Sequence, residues 1–311
     1  MNKGQNSAFF MGIAAVVIWA MGATFTRGLT EEAGVWMGGV LTSLPGGLLM
    51  LAYKAKKFGL KGMRETPKTY WLTCGLSFVT FAAIVNLSIG LAYTREQVVT
   101  SGLFRLIWPL LALILTIPLH KKRVAKWFIF SVSLSFIGVI LGNFTDGFSL
   151  SDFIHSFGDI WLVSLLSLIS SVLWALYTNC LGRYVKTPKD DHLWLLMLTT
   201  GVMQLILGLI FGERLWFIWN ATFIGGLVYM GIAVSFFANL CWVRAMASKR
   251  RHANILISNL TPLIATVFVG LTLGVQLTWQ LILGAALVTV GTIWSKYCFL
   301  PDETAQEEML T

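Results

Sequence analysis

The sequence predicts an all-α integral membrane protein of ten transmembrane helices in two inverted five-helix repeats. Three observations carry that prediction: apolar runs of bilayer length, a one-sided distribution of basic residues, and an internal echo at a nearly fixed offset. Composition sets the frame. Of 311 residues, 56% are hydrophobic and only 12% charged, with a mean hydropathy of +0.75. Soluble domains carry about 25% charged residues, so this chain cannot clothe a water-facing surface. The net charge of +9 does not signal nucleic acid, because the charges fall in short segments between apolar runs. Cys74, Cys180, Cys241 and Cys298 lie within apolar segments or at their ends and form no CxxC pair, which leaves metal and redox chemistry without support. Lys3 ahead of an apolar run could suggest a secretion signal. The run continues from Ala8 past Gly22, too long for a cleavable core, and reads as a first span.

A helix needs about 20 apolar residues to cross the hydrocarbon core. Such runs fall at 8–26, 34–53, 70–92, 98–118, 127–142, 160–181, 192–211, 222–247, 253–275 and 278–299. The run 127–142 is short and is expected to continue beyond Gly142. If the N-terminus is cytoplasmic and the spans alternate, eighteen of the 23 basic residues fall on the cytoplasmic side. They are Lys3, Lys296 and the clusters within 54–68, 121–126, 183–189 and 249–251. Only Arg27, Arg95 and Arg214 fall outside, and Arg105 and Arg244 lie within spans. The longest outer segment, 143–159, holds Asp146, Asp152 and Asp159 with no Lys or Arg. This is the positive-inside asymmetry. It predicts a multi-pass protein of the inner (plasma) membrane with both termini cytoplasmic. The resulting organisation is a first repeat over 1–142, an outer acidic loop over 143–159, a second, inverted repeat over 160–299, and a disordered cytoplasmic tail over 300–311.

The echo supports the division independently. A shift of 153 superposes Asn86-Leu87 on Asn239-Leu240, Pro109-Leu110 on Pro262-Leu263, and Gly138 on Gly291. A shift of 155 superposes Trp19-Ala20 on Trp174-Ala175. With an odd number of spans per half, the second half enters the membrane from the opposite face. Inverted repeats of this kind characterise secondary transporters, with the substrate site near the midplane between the halves. A duplicated structural membrane protein is the competing reading.

Polar groups inside spans are expensive, so each is a candidate for the site. Arg105 lies about 10 Å in from the outer end of its span at 1.5 Å per residue. It can snorkel to the interface, or face a cavity and fork onto a carboxylate. Trp19, Trp108 and Trp174 sit near mid-span, where an indole N–H needs an acceptor and so favours the bundle interior. Tyr177, three residues after Trp174, shares its helix face. Asn86 and Asn239 are repeat-related amides that either pair across helices or touch substrate, and Asn259 is a similar case. Pro109 and Pro262 each free a backbone carbonyl within a span, which suits a hinge or a plain kink. No Asp or Glu falls mid-span, which argues against a proton-coupled exporter of cations, although aromatic faces can still hold one. The four histidines, His120, His155, His192 and His252, sit at loop edges and are expected to be solvated.

The segments Ile18-Trp19-Ala20, Leu173-Trp174-Ala175, Leu106-Ile107-Trp108-Pro109 and Asn259-Leu260-Thr261-Pro262-Leu263 resemble the drug/metabolite transporter superfamily, specifically its EamA-type members. The stretch from Ser101-Gly102 to Trp108-Pro109 is similar to the bacterial aromatic amino acid exporter branch, from whose pattern an arginine at position 105 departs. The resemblance implies a proton-independent or weakly coupled exporter. Its central cavity would be lined by helices 1–4 and 6–9, with helices 5 and 10 peripheral. The expected function is therefore export of small amphipathic metabolites, foremost amino acids and preferably aromatic ones, by alternating access. The alternatives are another organic anion, a nucleotide-like metabolite, an aromatic cationic drug, or no transport at all. Expected partners are the small-molecule substrate, an amino acid or related carboxylate, and membrane lipid. No enzyme activity, cofactor, metal or nucleic acid is expected, and a monomer suffices.

Overall fold

The computed structural model describes residues 3–59, 68–92, 94–142, 150–184, 190–217, 219–246, 257–274 and 276–300. These residues are predominantly helical, and the one β-type contact among them is an isolated bridge between Val124 and Phe299. In chain order, α1 is Lys3–Ala33, α2 Val35–Phe58, α3 Lys68–Leu91 and α4 Arg95–Leu106. Then come α5, Trp108–His120; α6, Phe128–Gly142; α7, Leu150–Tyr184; and α8, Leu193–Ile210. The next helix, α9, joins Ala221–Leu227, a π-helical Val228–Ala238 and Asn239–Met246 without interruption. Last are α10, Thr261–Leu273, and α11, Trp279–Tyr297.

Among the described residues five helices are long and apolar enough to cross a membrane: α2, α3, the Trp161–Cys180 part of α7, α8, and Ala221–Ala245 of α9. A sixth is α1, if its limbs Ser7–Gly22 and Thr24–Ala33, bent by 43°, count as one span. Their outer faces expose Leu76, Val202, Leu209, Val228 and Ile232, a surface that only lipid would tolerate. The chain is a membrane protein.

Two expected spans are broken in the middle, and proline explains both breaks. The run 98–118 divides at Ile107 into α4 and α5, with Pro109 at the second residue of α5. The run 253–275 turns at Asn259 and Leu260 before α10, with Pro262 again second. A proline at position i cannot donate to the carbonyl at i−4, here Arg105 O and Ser258 O. Hydroxyls replace the missing N–H. Ser171 Oγ donates to Arg105 O at 2.5 Å and Thr261 Oγ1 to Ser258 O at 2.5 Å. In hydrocarbon a freed carbonyl must find such a partner within the protein.

Other boundaries differ from the sequence expectation. The seventh helix begins at Leu150, so 150–159, expected as loop, is helical. The continuation past Gly142, the basic stretches 60–67, 185–189 and 247–256, and the tail from 301 lie outside the described residues. Lys54, expected in a cytoplasmic loop, is instead buried at the end of α2, where its ammonium bonds the Asp191 backbone carbonyl and lies 3.5 Å from the Asp191 carboxylate. His192 is likewise buried, edge-on to the Tyr70 ring at 5.3 Å, and not solvated.

Small residues set the closest helix contacts. On the antiparallel pair α6–α11, a methyl group added at Gly138 would lie 2.6 Å from Gly284 O and 2.8 Å from Val288 N. One added at Gly291 would lie 2.7 Å from Ser131 O and 2.9 Å from Ser135 N. The two sets are reciprocal, because adding 153 to Gly138 and Ser135 gives Gly291 and Val288, and subtracting it from Gly284 gives Ser131. Between α2 and α8, Gly47 packs on Leu198 and Gly201 on Leu44, reciprocal at an offset of 154. Close backbone approach through glycine and serine is how helices associate where lipid removes the hydrophobic drive. The Glu213 carboxylate adds a tie after α8, accepting from the Trp36 and Met37 amides at the start of α2. That start follows Gly34 at φ +97°, where a side chain would meet the same carboxylate.

Candidate functional site

A cavity of about 260 Å³ lies between α1, α2, α3, α4, α5, α7, α8, α9 and α10, and no residue of α6 or α11 lines it. It gathers Trp19, Asn86, Arg105, Trp108, Trp174 and Asn239 from six separate helices. Tyr177 and Asn259 are not among its lining residues. Tyr177 is buried behind the wall, with its ring 5.2 Å from Trp174 and 5.1 Å from Phe78. Asn259 is buried at the turn before α10 with its amide nitrogen unpartnered among the described residues. Pro109 stands at its helix break and is not among the lining residues; Pro262 stands at the equivalent break before α10, its side chain outside the described residues.

Trp174 is the centre of the aromatic wall. Trp19 and Trp108 meet it edge-on at 6.4 and 6.2 Å, and Phe81 and Phe78 pack on it at 4.7 and 6.1 Å. Trp19 also contacts Trp242 at 5.2 Å. Sequence reasoning missed Phe78 and Phe81, because phenylalanine in an apolar span carries no signal of its own. Their spacing of three, one helix face, was the available hint.

The expectation that each mid-span indole finds a protein acceptor fails. Among the described residues no bond is made by the N–H of Trp19, Trp108 or Trp174, and none of these atoms is fully sealed. The expected pairing of Asn86 with Asn239 also fails. Asn86 Nδ2 donates to Ala82 O on its own helix at 3.0 Å, and Asn239 Nδ2 donates to Val234 O and Ser235 O, both at 3.1 Å. A side-chain amide can reach a carbonyl one turn back along its own helix, and that local bond wins over a cross-helix one. Asn179 is the amide that does bridge helices, accepting from Thr116 and donating to Ala112 O of α5.

Arg105 occupies the last turn of α4, half-buried in the cavity wall. The break at Ile107 and the bond from Ser171 to the Arg105 carbonyl fix the backbone from which it projects. Among the described residues its guanidinium has no carboxylate and no hydrogen-bond acceptor. By contrast Arg27, near the end of α1, is held by Glu31 at 2.7 Å and by the carbonyls of Ile89 and Ala92 at 2.8 and 2.7 Å. Arg244 bonds the Tyr53 hydroxyl at 2.5 Å. Arg105 therefore offers a planar, doubly donating cation to whatever enters the cavity. No cluster of His, Cys, Asp and Glu that could hold a metal occurs among the described residues.

Residues 6–144 and 161–296 each match the EamA-like transporter family, and the chain belongs to that family. It is 25% identical over 295 residues to the aromatic amino acid exporter YddG of Salmonella typhimurium (strain 14028s / SGSC 2262), covering 93% of this chain and 96% of that protein. It is 26% identical over 185 residues to the aromatic amino acid exporter YddG of Escherichia coli (strain K12), covering 58% of this chain and 61% of that one. One crystal structure matches with a TM-score of 0.69 at 18% identity, over 93% of this chain and 98% of that chain, a likeness of fold alone. As members of a transporter family, this chain and its relatives move small molecules and are not enzymes.

Proposed function

With membership of that family as the premise, we propose that the chain exports small amphipathic metabolites, foremost aromatic amino acids, by alternating access through the cavity around Trp174. The observation that carries the reading is Arg105: a cation lining an aromatic cavity, with no acid beside it among the described residues. Leaving a charge unpaired in a low-dielectric site is costly. A ligand carboxylate relieves that cost, and the indole wall receives the ring that such a ligand carries. The same cation disfavours a cationic drug. The YddG exporters, by name, act on aromatic amino acids, which agrees with this choice.

The reading places ten spans in two inverted halves, 1–142 and 160–299, in the inner membrane with both termini cytoplasmic. Supporting it are the two broken spans with equivalent prolines and the reciprocal contacts of α6–α11 and α2–α8. Reciprocity between antiparallel helices is what a two-fold axis perpendicular to them produces. Under this reading Pro109 and Pro262 are hinges, and the halves exchange conformations to move the cavity from one face to the other.

Counterflow tests it. Purified protein in liposomes preloaded with phenylalanine should accumulate labelled phenylalanine above empty liposomes. Arg105→Leu should lower that rate at least about tenfold, the loss of one charge-assisted bond. Unchanged exchange in Arg105→Leu would remove the carboxylate role. No exchange by the native protein with any amino acid would remove the substrate class.

A further inference from the structure

Resting on the function proposed above, we infer that Asn86 and Asn239 read the amino group of the ligand through their side-chain oxygens, so that the cavity selects zwitterionic amino acids over amine-free carboxylates of the same shape. The orientation of both amides is fixed by chemistry. Backbone carbonyls only accept, so the ends facing Ala82 O, Val234 O and Ser235 O must be the nitrogens. Each Oδ1 therefore points away from its own helix. Among the described residues neither oxygen accepts a hydrogen bond and neither is fully sealed, and both residues line the cavity. The two residues stand at positions 153 apart, and the carbonyls that accept from them, Ala82 O and Ser235 O, stand 153 apart as well. The cavity thus presents the same acceptor from both halves.

The rest of the polar lining leans the same way. The hydroxyls of Thr26, Thr42, Ser171 and Thr261 all spend their proton on backbone carbonyls, at 2.9 Å to Gly22 O, 2.9 Å to Gly38 O, 2.5 Å to Arg105 O and 2.5 Å to Ser258 O. Their remaining capacity is to accept. Ser43, Ser235 and Thr266 can turn either way. Strong donation comes from Arg105, and the lining tryptophans Trp19, Trp108 and Trp174 add indole N–H donors. A ligand that only accepts, such as a 2-oxo acid, would satisfy Arg105 and leave the amide oxygens desolvated and unpaired. A ligand with an ammonium group satisfies both sets. Sites built to hydrogen-bond a substrate N–H or O–H reject analogues that lack it far more strongly than apolar pockets reject a missing methylene.

The test compares phenylalanine with phenylpyruvate, which keeps the ring and the carboxylate and replaces the amine by a carbonyl oxygen. In proteoliposomes preloaded with either compound, with protein-free liposomes as the leak control, the native protein should exchange phenylalanine at least about tenfold faster. The double variant Asn86→Leu with Asn239→Leu should bring the two rates to within about threefold, mainly by slowing phenylalanine. Asn86→Asp with Asn239→Asp, which keeps the acceptors, should preserve the preference. Phenylalanine exchange with equal phenylpyruvate exchange in the native protein overturns the inference and leaves the transport reading standing. Exchange of neither compound overturns both. The native comparison decides the matter even if a variant fails to fold.

Discussion

The seam between α6 and α11 and the wall of the cavity treat the same internal echo in opposite ways. Along the seam, positions 153 apart hold matched small residues: Gly138 and Gly291 make the same backbone contacts on opposite helices. Around the cavity the equivalents diverge. Arg105 corresponds to Ser258, Trp108 to Thr261, Phe78 to Gly231 and Phe81 to Val234. The difference follows from what each region touches. Helix backbones that approach within contact distance accept only one side-chain size, so both halves keep it. A ligand with an aromatic end and a charged end has no two-fold symmetry, and a wall that holds it has to break the symmetry of its scaffold. Asn86 with Asn239, and Trp19 with Trp174 at the offset of 155, are the exceptions, alike in both halves and lining the cavity.

That contrast can be broken first at the seam. Leucine at Gly138 or Gly291 would drive a side chain into a backbone less than 3 Å away. The expected result is loss of folded protein, read as a vanished monodisperse peak in size-exclusion chromatography. Alanine there should cost about 1–3 kcal/mol by overpacking, read as a lowered thermal midpoint. Next in size is the wall. Thr261→Trp, which gives the second half the residue of the first, should fill the cavity and cut phenylalanine exchange at least about tenfold. Stability should also fall by about 1–3 kcal/mol, because the Ser258 carbonyl loses the Thr261 hydroxyl, and unchanged exchange in a folded variant would show that the cavity is not the route.

Within the wall, Trp174→Ala should weaken phenylalanine more than Trp19→Ala does. Trp174 meets five rings, those of Trp19, Phe78, Phe81, Trp108 and Tyr177, and Trp19 meets two. Aromatic pairs contribute about 0.5–1.5 kcal/mol each, so a several-fold difference in apparent affinity is expected from competition counterflow. Equal effects would deny Trp174 its central place. The smallest effect is expected at the broken spans. Ser171→Ala strands the carbonyl freed by Pro109, at a cost of about 1–3 kcal/mol. For a chain this long that shifts the thermal midpoint by only a few degrees. A shift no larger than that of Ser170→Ala, a hydroxyl that bonds only Ser167 O on its own helix, would show the replacement bond to be dispensable.

Much of the architecture was legible because lipid enforces simple rules. Charge-free runs marked helices, and the prolines marked the breaks at Ile107 and Leu260. The cavity residues legible in advance were those whose chemistry is out of place in hydrocarbon: Arg105, Asn86, Asn239 and the mid-span tryptophans. Tyr177 packs on Phe78 and Trp174, which line the cavity, without lining it itself; helical spacing gives the face but not what covers it. Lys54 was assigned to solvent because its partner, Asp191, lies 137 residues away.

The sequence by itself determined that this chain lives in a membrane, that its halves echo one another, and which side chains are too polar to face lipid. Those follow from local composition and spacing, since the penalty for an unpaired polar group in hydrocarbon acts on each residue separately. Only the tertiary structure decided that residues from widely separated helices meet at one cavity, that Arg105 has no acid beside it among the described residues, and that both asparagines give their nitrogens to their own helices. Those depend on partners from distant parts of the chain, and on carbonyls whose availability is set by how each helix winds and breaks.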